Sequence, residues 1–435
     1  MVDKIVSRRS FIAQGAAAAS AFAIVPRRVL GGQGNVSPSE RLTHAVIGVG
    51  GMGRGHVGYV LRDKGARLVA VCDVDEQHIK RARQLADQNG QPCKGYKDFR
   101  DLLDRERIDI VHIATPPHWH ALISIAAAEA GCDIWCEKPM TRTIAEGRHV
   151  VDAVQRNGRM FRLNTWFRLY SDLYGLGCTA KPLKKIVSHG LLGWPITARI
   201  SPSQGFVWKV RGTMGRTDLQ PEHAPPHLDY DLWLGPAQMK PYNRRRTHGT
   251  FRGYWDYEGG GLADMGQHYM DPIQYILDKD DTSPVEVEAD APWPAHPDAV
   301  GMWGRVEMRY ADGCRLILES QEWGEPREMG QPYLEGPKGR VYRGPRFDPP
   351  ELGEAAEALP DPEPMISDFN VSVRTRQKFG LNEVNGSRSN LLAHLANCAI
   401  RTGRRLRFDP ATQRFIGDEE ANRLADQPMR APWHV

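Results

Sequence analysis

The chain has 435 residues, about three times a common single-domain length, which points to two domains and one short extra module. Hydrophobic content of 41% and charged content of 25% exclude wholesale disorder, and 43 glycines with 31 prolines exclude a collagen-like chain. The formal charge of +4 sits in residues 1–30, where Lys4, Arg8, Arg9, Arg27 and Arg28 face Asp3 alone; the remaining 52 basic and 52 acidic side chains balance, giving no electrostatic case for nucleic-acid or membrane-surface binding.

Residues 1–30 read as a leader. Ser7-Arg8-Arg9-Ser10-Phe11-Ile12 resembles a twin-arginine export signal, followed by an uncharged stretch from Ser10 to Val25 and the basic pair Arg27-Arg28. The stretch is too short and too rich in alanine and glycine for a bilayer span, which needs about 20 apolar residues. The resemblance implies export of a folded protein to the periplasm or beyond, with the leader either removed or kept as a surface anchor. Residues 31–42 read as a linker. Seven cysteines, an odd number, lack a framework spacing, so Cys132 and Cys136 are expected as buried thiols rather than a disulfide or metal ligands.

Residues 43–161 alternate strand and helix patterns. The run from Thr43 to Ile47 ends at Gly48-Val49-Gly50-Gly51-Met52-Gly53, a helical pattern follows, and the run from Arg67 to Cys72 ends at Asp73. Gly48 permits a tight turn, Gly50 lets a pyrophosphate approach the backbone, and Gly53 permits close packing of helix on strand. The helix start, with Gly51 and Met52, offers free N–H groups to phosphates. Asp73 can accept from the adenosine ribose hydroxyls and would repel a 2′-phosphate, which favours NAD over NADP. A buried strand over 108–114 ends at Thr115-Pro116, and another over 132–136 ends at Glu137-Lys138-Pro139. Ligands lie at the carboxyl ends of such strands, so Thr115, Pro116, His118, Glu137 and Lys138 are expected near the nicotinamide. His118 and His120 lack a supporting carboxylate or thiolate cluster, and no metal site is expected. The Lys138 ammonium can stabilise the oxygen of a substrate hydroxyl as hydride leaves its carbon.

Residues 162–386 change character, with strand patterns near 195–202, 285–290, 302–310 and 316–320. They read as an α+β domain with an open, mostly antiparallel sheet. The stretch 324–361 reads mainly as loops, and 387–435 as a C-terminal helix and tail packing back on the body. One dense motif runs from Trp255 through Tyr257, Gly259-Gly260-Gly261, Asp264 and His268 to Asp271. Its glycines can bring backbone against a flat ligand, and a helix from about Leu262 would put Asp264 and His268 on one face. The imidazole can then take the proton of an alcohol while the carboxylate orients the ring. Asp271 is expected to cap or pair structurally.

The order of Gly48-x-Gly50-x-x-Gly53, Glu137-Lys138-Pro139 and Gly259-Gly260-Gly261…Asp264-x-x-x-His268 resembles the glucose–fructose oxidoreductase / inositol dehydrogenase / MocA (Gfo/Idh/MocA) family over about residues 43–435. The resemblance implies a Rossmann domain followed by an α+β domain often used for oligomerisation as a dimer or tetramer. It implies Lys138 as active-site lysine, Asp264 as its acidic partner and His268 as acid/base. Asn164, Arg168, Trp255 and Tyr257 become substrate-pocket candidates, although the pattern 163–168 departs from the commoner family form. The function implied is NAD(P)-dependent oxidation of a secondary hydroxyl on a sugar, sugar derivative or cyclitol, with tightly bound NAD because free NAD is scarce outside the cytoplasm. Some relatives are instead redox-neutral glycoside hydrolases acting through transient C3 oxidation, and a non-catalytic NAD-binding sensor is the third alternative.

Overall fold

The computed structural model describes residues 37–169, 172–325 and 329–435; the leader expected over 1–30 lies outside them. In the first half, short apolar runs form a parallel sheet from β1 (Leu42–Ile47), β2 (Ala66–Cys72), β3 (Lys94–Tyr96), β4 (Ile110–Ile113), β5 (Asp133–Glu137) and β6 (Phe161–Asn164), in the spatial order β3-β2-β1-β4-β5-β6. Every neighbouring pair is parallel. β4 and β5 are buried along their whole length, as strands covered by helices on both faces must be. Strand order reverses between β1 and β4, which opens a crevice at their carboxyl ends.

The second half folds around β7 (Thr197–Ile200), β8 (Glu286–Asp290), β9 (Arg305–Arg309), β10 (Arg315–Glu319), β11 (Leu334–Gly336), β12 (Gly339–Tyr342), β13 (Arg346–Asp348), β14 (Leu406–Asp409) and β15 (Arg414–Phe415). Their order is β13-β12-β11-β7-β10-β9-β8-β14-β15, antiparallel except for β7 beside β10. One face buries Val306, Met308, Leu316 and Leu318 against Tyr269, Ile273, Leu392 and Leu395. The other carries ion pairs among Arg305, Glu307, Arg309, Arg315 and Glu319. The helix Glu383–Thr402 is buried along most of its length and packs on Ile144–Arg156 of the first half and Gly266–Ile276 of the second.

Three expectations need correction. β6 runs past the domain boundary expected at 161, because Arg162 and Asn164 interrupt its apolar run while its backbone still pairs with β5. The stretch 324–361 holds β11, β12, β13 and the helix Glu351–Glu357, elements too short for a readable period. The C-terminal helix starts before 387, at Glu383, where Asn382 accepts from Val384 N. Beyond that helix, the tail adds β14 and β15 to the sheet edge.

All seven cysteines are free and buried, as the spacing suggested. Among the described residues, no helix is long and apolar enough to cross a membrane.

Burial pushes several imidazoles down: His44 to about 4, His118 to about 3, His394 to about 4, and His112 well below the ordinary value. Each stays neutral when folded and takes up a proton on unfolding once pH drops below about 6.5. The unfolded chain then binds more protons, so stability falls with falling pH, by on the order of 1 kcal/mol per histidine at about pH 5.5. Thermal unfolding followed by circular dichroism is expected to show a midpoint that drops between about pH 7.5 and pH 5.5; a flat or rising midpoint would contradict the neutral assignments.

Candidate active site

A cavity of about 920 Å³ lies between the carboxyl ends of β1, β2, β4 and β5 and the second-half segments that carry Trp166, Lys209, Arg252 and His268. Its nucleotide end follows from the glycine turn. Gly48 has φ +81, and a Cβ there would come within 2.6 Å of Thr115 N, so the ends of β1 and β4 can approach only at glycine. A Cβ on Gly53 would lie 1.7 Å from Gly48 O, which makes Gly53 a packing residue; it does not line the cavity. Gly51 has open space at its Cβ position, and the helix Gly51–Arg62 has no acidic residue in its first turn, leaving its N–H groups free for an anion. Asp73 is fixed at the end of β2: Oδ2 accepts from Val49 N at 2.8 Å, Oδ1 from Asp75 N at 2.9 Å. Thr115 Oγ1 is buried in this wall with no hydrogen-bond partner. An open glycine cradle, a fixed carboxylate and an unpaired hydroxyl fit a dinucleotide.

At the other end two stretches of chain meet. Lys138 Nζ donates to Asp264 Oδ1 at 2.8 Å and to Asp264 O at 2.6 Å, which leaves one of its three N–H groups for a ligand. Arg252 Nε donates to the same Oδ1 at 2.8 Å. Burial opposes ionisation of Asp264, but the Lys138 and Arg252 charges outweigh it and hold the carboxyl well below its usual range. His268 lies on the next helix, Gly266–Ile276, because Met265 interrupts the run; its Nδ1 is buried without a partner. Burial, then the Lys138 charge, lowers its pKa to about 3, so the imidazole is neutral and its lone pair free. Asp264 therefore anchors Lys138 rather than the His268 ring, contrary to the expected orienting bond. The ring centre lies 4.8 Å from that of Trp166, tilted by 33°, and Trp166 is 43% exposed.

Glu137 lines the cavity beside Lys138 and ends a buried hydrogen-bond chain. Its Oε1 accepts from His56 Nε2 at 2.8 Å and from Asn164 Nδ2 at 2.6 Å. His56 Nδ1 lies 2.9 Å from His112 Nδ1, and His112 Nε2 lies 2.8 Å from His44 Nδ1. Burial holds the His112 and His44 rings neutral, and His56 joins them to the carboxylate. Burial raises the Glu137 pKa, but the His56 bond and charge outweigh it and the net direction is down.

Several candidates lie elsewhere. The His118 ring is buried away from the cavity, its Nε2 3.0 Å from Trp233 O. The Asn164 amide is spent on Glu137. Arg168 is closed inside a bidentate pair with Asp271 and a second with Asp280, which confirms the structural role expected of Asp271 and removes Arg168 from the substrate set. Trp255 donates to His296 O in the core, and Tyr257 is fully buried against His118 and Trp233. The three glycines press on protein rather than ligand: a Cβ on Gly259 would meet Asn397, on Gly260 Val300, and on Gly261 Trp208 O. Gly50, Met52 and Pro116 line the cavity as expected.

Sequence reasoning missed Trp166, Arg252 and Glu258. Trp166 sits between two named candidates, and Arg252 and Glu258 flank the glycine run, but exposure and direction decide their roles, and neither is written in spacing. Glu258 is pushed up to about 8 by burial and the Asp264 charge, so it is a neutral acid able to donate one hydrogen bond.

Residues 42–165 match the oxidoreductase family's NAD-binding Rossmann fold, and residues 176–435 match its C-terminal alpha/beta domain. The chain is 23% identical over 268 residues to inositol 2-dehydrogenase of Salmonella typhimurium, covering 61% of this chain and 74% of that one. It is 36% identical over 129 residues to glycosyl hydrolase family 109 protein 2 of Shewanella sp., 28% of each chain. The WlbA dehydrogenase from Bordetella pertussis, crystallised with NADH and UDP-GlcNAcA, shares the fold with a TM-score of 0.58 and 18% identity over 85% of this chain and 99% of that one. Both halves of the molecule thus carry the same family's signature around one shared cavity, and the chain belongs to the Gfo/Idh/MocA family of NAD-dependent oxidoreductases.

Proposed function

We propose that the protein oxidises a secondary hydroxyl of a sugar, sugar derivative or cyclitol, using a tightly held NAD, after twin-arginine export and as a homo-oligomer formed through the open face of the second sheet. The observation that carries the reading is the convergence of Lys138 and His268 on the cavity that also holds Asp73 and the glycine turn. When bound, NAD supplies the hydride acceptor. Gly48, Gly50 and Gly51 would hold its pyrophosphate, Asp73 a ribose, and Thr115, Pro116 and Glu137 its nicotinamide end.

The chain's own groups do the rest. Neutral His268 takes the hydroxyl proton, and the charges of Asp264 and Glu137 offset the imidazolium that forms. The free N–H of Lys138 stabilises the developing oxygen charge, while Asp264 and Arg252 keep the ammonium in place. The exposed indole of Trp166 offers an apolar face for a sugar ring to stack on.

The match to glycosyl hydrolase family 109 favours one second reading. There the same groups oxidise C3 transiently, elimination breaks the glycosidic bond, water adds and hydride returns. Acid release of the nucleotide from purified protein is expected to yield NAD. A screen of sugars, cyclitols and glycosides then separates the readings: net reduced nicotinamide absorbance supports dehydrogenation, aglycone release without it supports hydrolysis, and neither sinks both.

Replacing Lys138 by Met is expected to cut kcat/KM by roughly 10²–10³-fold, since one preorganised donor to the developing charge is lost. Retained turnover would remove Lys138 from the chemistry. Asp73→Ser is expected to lower the preference for NAD over NADP by about tenfold or more, because the repulsion of a 2′-phosphate goes with the carboxylate; titration of both nucleotides by fluorescence measures the ratio directly.

A further inference from the structure

At the cavity rim beside Asp73, a second cluster takes no part in the proposed reaction. Asp75 is buried and caps the helix Glu76–Gln88 by accepting from Gln77 N at 2.8 Å with Oδ1. Its other oxygen, Oδ2, faces three imidazole Nε2 atoms: His248 at 3.5 Å, His227 at 3.8 Å and His78 at 4.0 Å. Donor atoms of Asp75, His78 and His248 all lie within 4.8 Å of one another.

These separations are too long for good hydrogen bonds. They are close to the edge of a tetrahedron, about 3.3 Å, that metal–ligand distances of about 2.0–2.1 Å imply around zinc. Asp73 Oδ2 lies 3.2 Å from His78 Nδ1, a contact that holds the ring with its Nε2 toward Asp75. The scaffold is fixed by backbone: Glu76 N donates to His227 O at 3.0 Å, and Asp229 N to Val74 O at 3.0 Å. His248 comes from a third segment, at the start of the turn His248–Gly253.

We propose that Asp75, His78 and His248, with His227 as fourth ligand after a small ring rotation, bind one divalent transition-metal ion, zinc fitting best, that clamps the segments carrying His227 and His248 to the Rossmann domain. Three imidazoles and one carboxylate without thiolate suit zinc over calcium or magnesium. The sequence hid the set because its members fall at 75, 78, 227 and 248, without a compact motif. The clamp is independent of which alcohol the cavity accepts.

The test uses the full chain, stripped with a chelator and dialysed against zinc, beside the double variant Asp75→Asn/His248→Gln. Asparagine keeps the helix cap, and His248 is 41% exposed on its side chain, so the variant retains the fold. Elemental analysis is expected to give about one zinc per parent chain, a higher unfolding midpoint with zinc, and loss of both in the variant. Cobalt-loaded parent protein is expected to show the strong visible bands of a four-coordinate nitrogen/oxygen site. Less than about half an equivalent of zinc in the parent, an undiminished equivalent in the variant, or thiolate charge-transfer bands with cobalt would overturn the site.

Discussion

The bond between Lys138 and Asp264 joins the chemistry of the two halves. The lysine follows β5 of the parallel sheet, and the aspartate ends a one-turn helix of the second domain. At 2.8 Å in a largely buried setting, neither charge can be left without the other, because an unpaired charge there would cost several kcal/mol. The register between the domains is therefore constrained where the substrate must sit. The helix Glu383–Thr402, packed against both halves, supports that register from behind.

Much of this was legible in the sequence, for identifiable reasons. A parallel sheet buries its strands on both faces, so β4 and β5 appear as continuous apolar runs whose ends point at the site. A glycine that must hold φ +81 beside another strand end admits almost no other residue, so the turn at Gly48 is visible before any coordinates. Lys138 and His268 could be named because their chemical types are rare at such positions. Arg168 was misplaced for a complementary reason. It was named from the family resemblance alone, and no local pattern can say that Asp271 and Asp280, more than a hundred positions away, close on its guanidinium. Trp255 and Tyr257 failed the same way, being aromatic residues turned into the core. The glycine run at 259–261 was read as a ligand cradle, whereas its lack of side chains serves the approach of Trp208 and Val300.

The histidines behind Glu137 help to keep a buried acid ionised: the His56 bond and charge, the Asn164 bond and the Lys138 charge together outweigh its burial. Three rings in successive hydrogen-bond contact extend from the first strand to the carboxylate. This places a negative charge near His268.

The remaining division of labour is between two acids a few residues apart. Asp264 and Glu258 share the same cavity wall and the same arginine, Arg252, at 2.8 and 3.7 Å. Asp264 also receives Lys138, so it ionises; Glu258 feels the resulting negative charge in a buried position and holds its proton. Two carboxyl groups of nearly equal intrinsic acidity are thereby set on opposite sides of neutrality by one lysine. The anion fixes the Lys138 ammonium at the cavity wall. The neutral acid, unable to attract that ammonium away from Asp264, keeps its proton on the same wall.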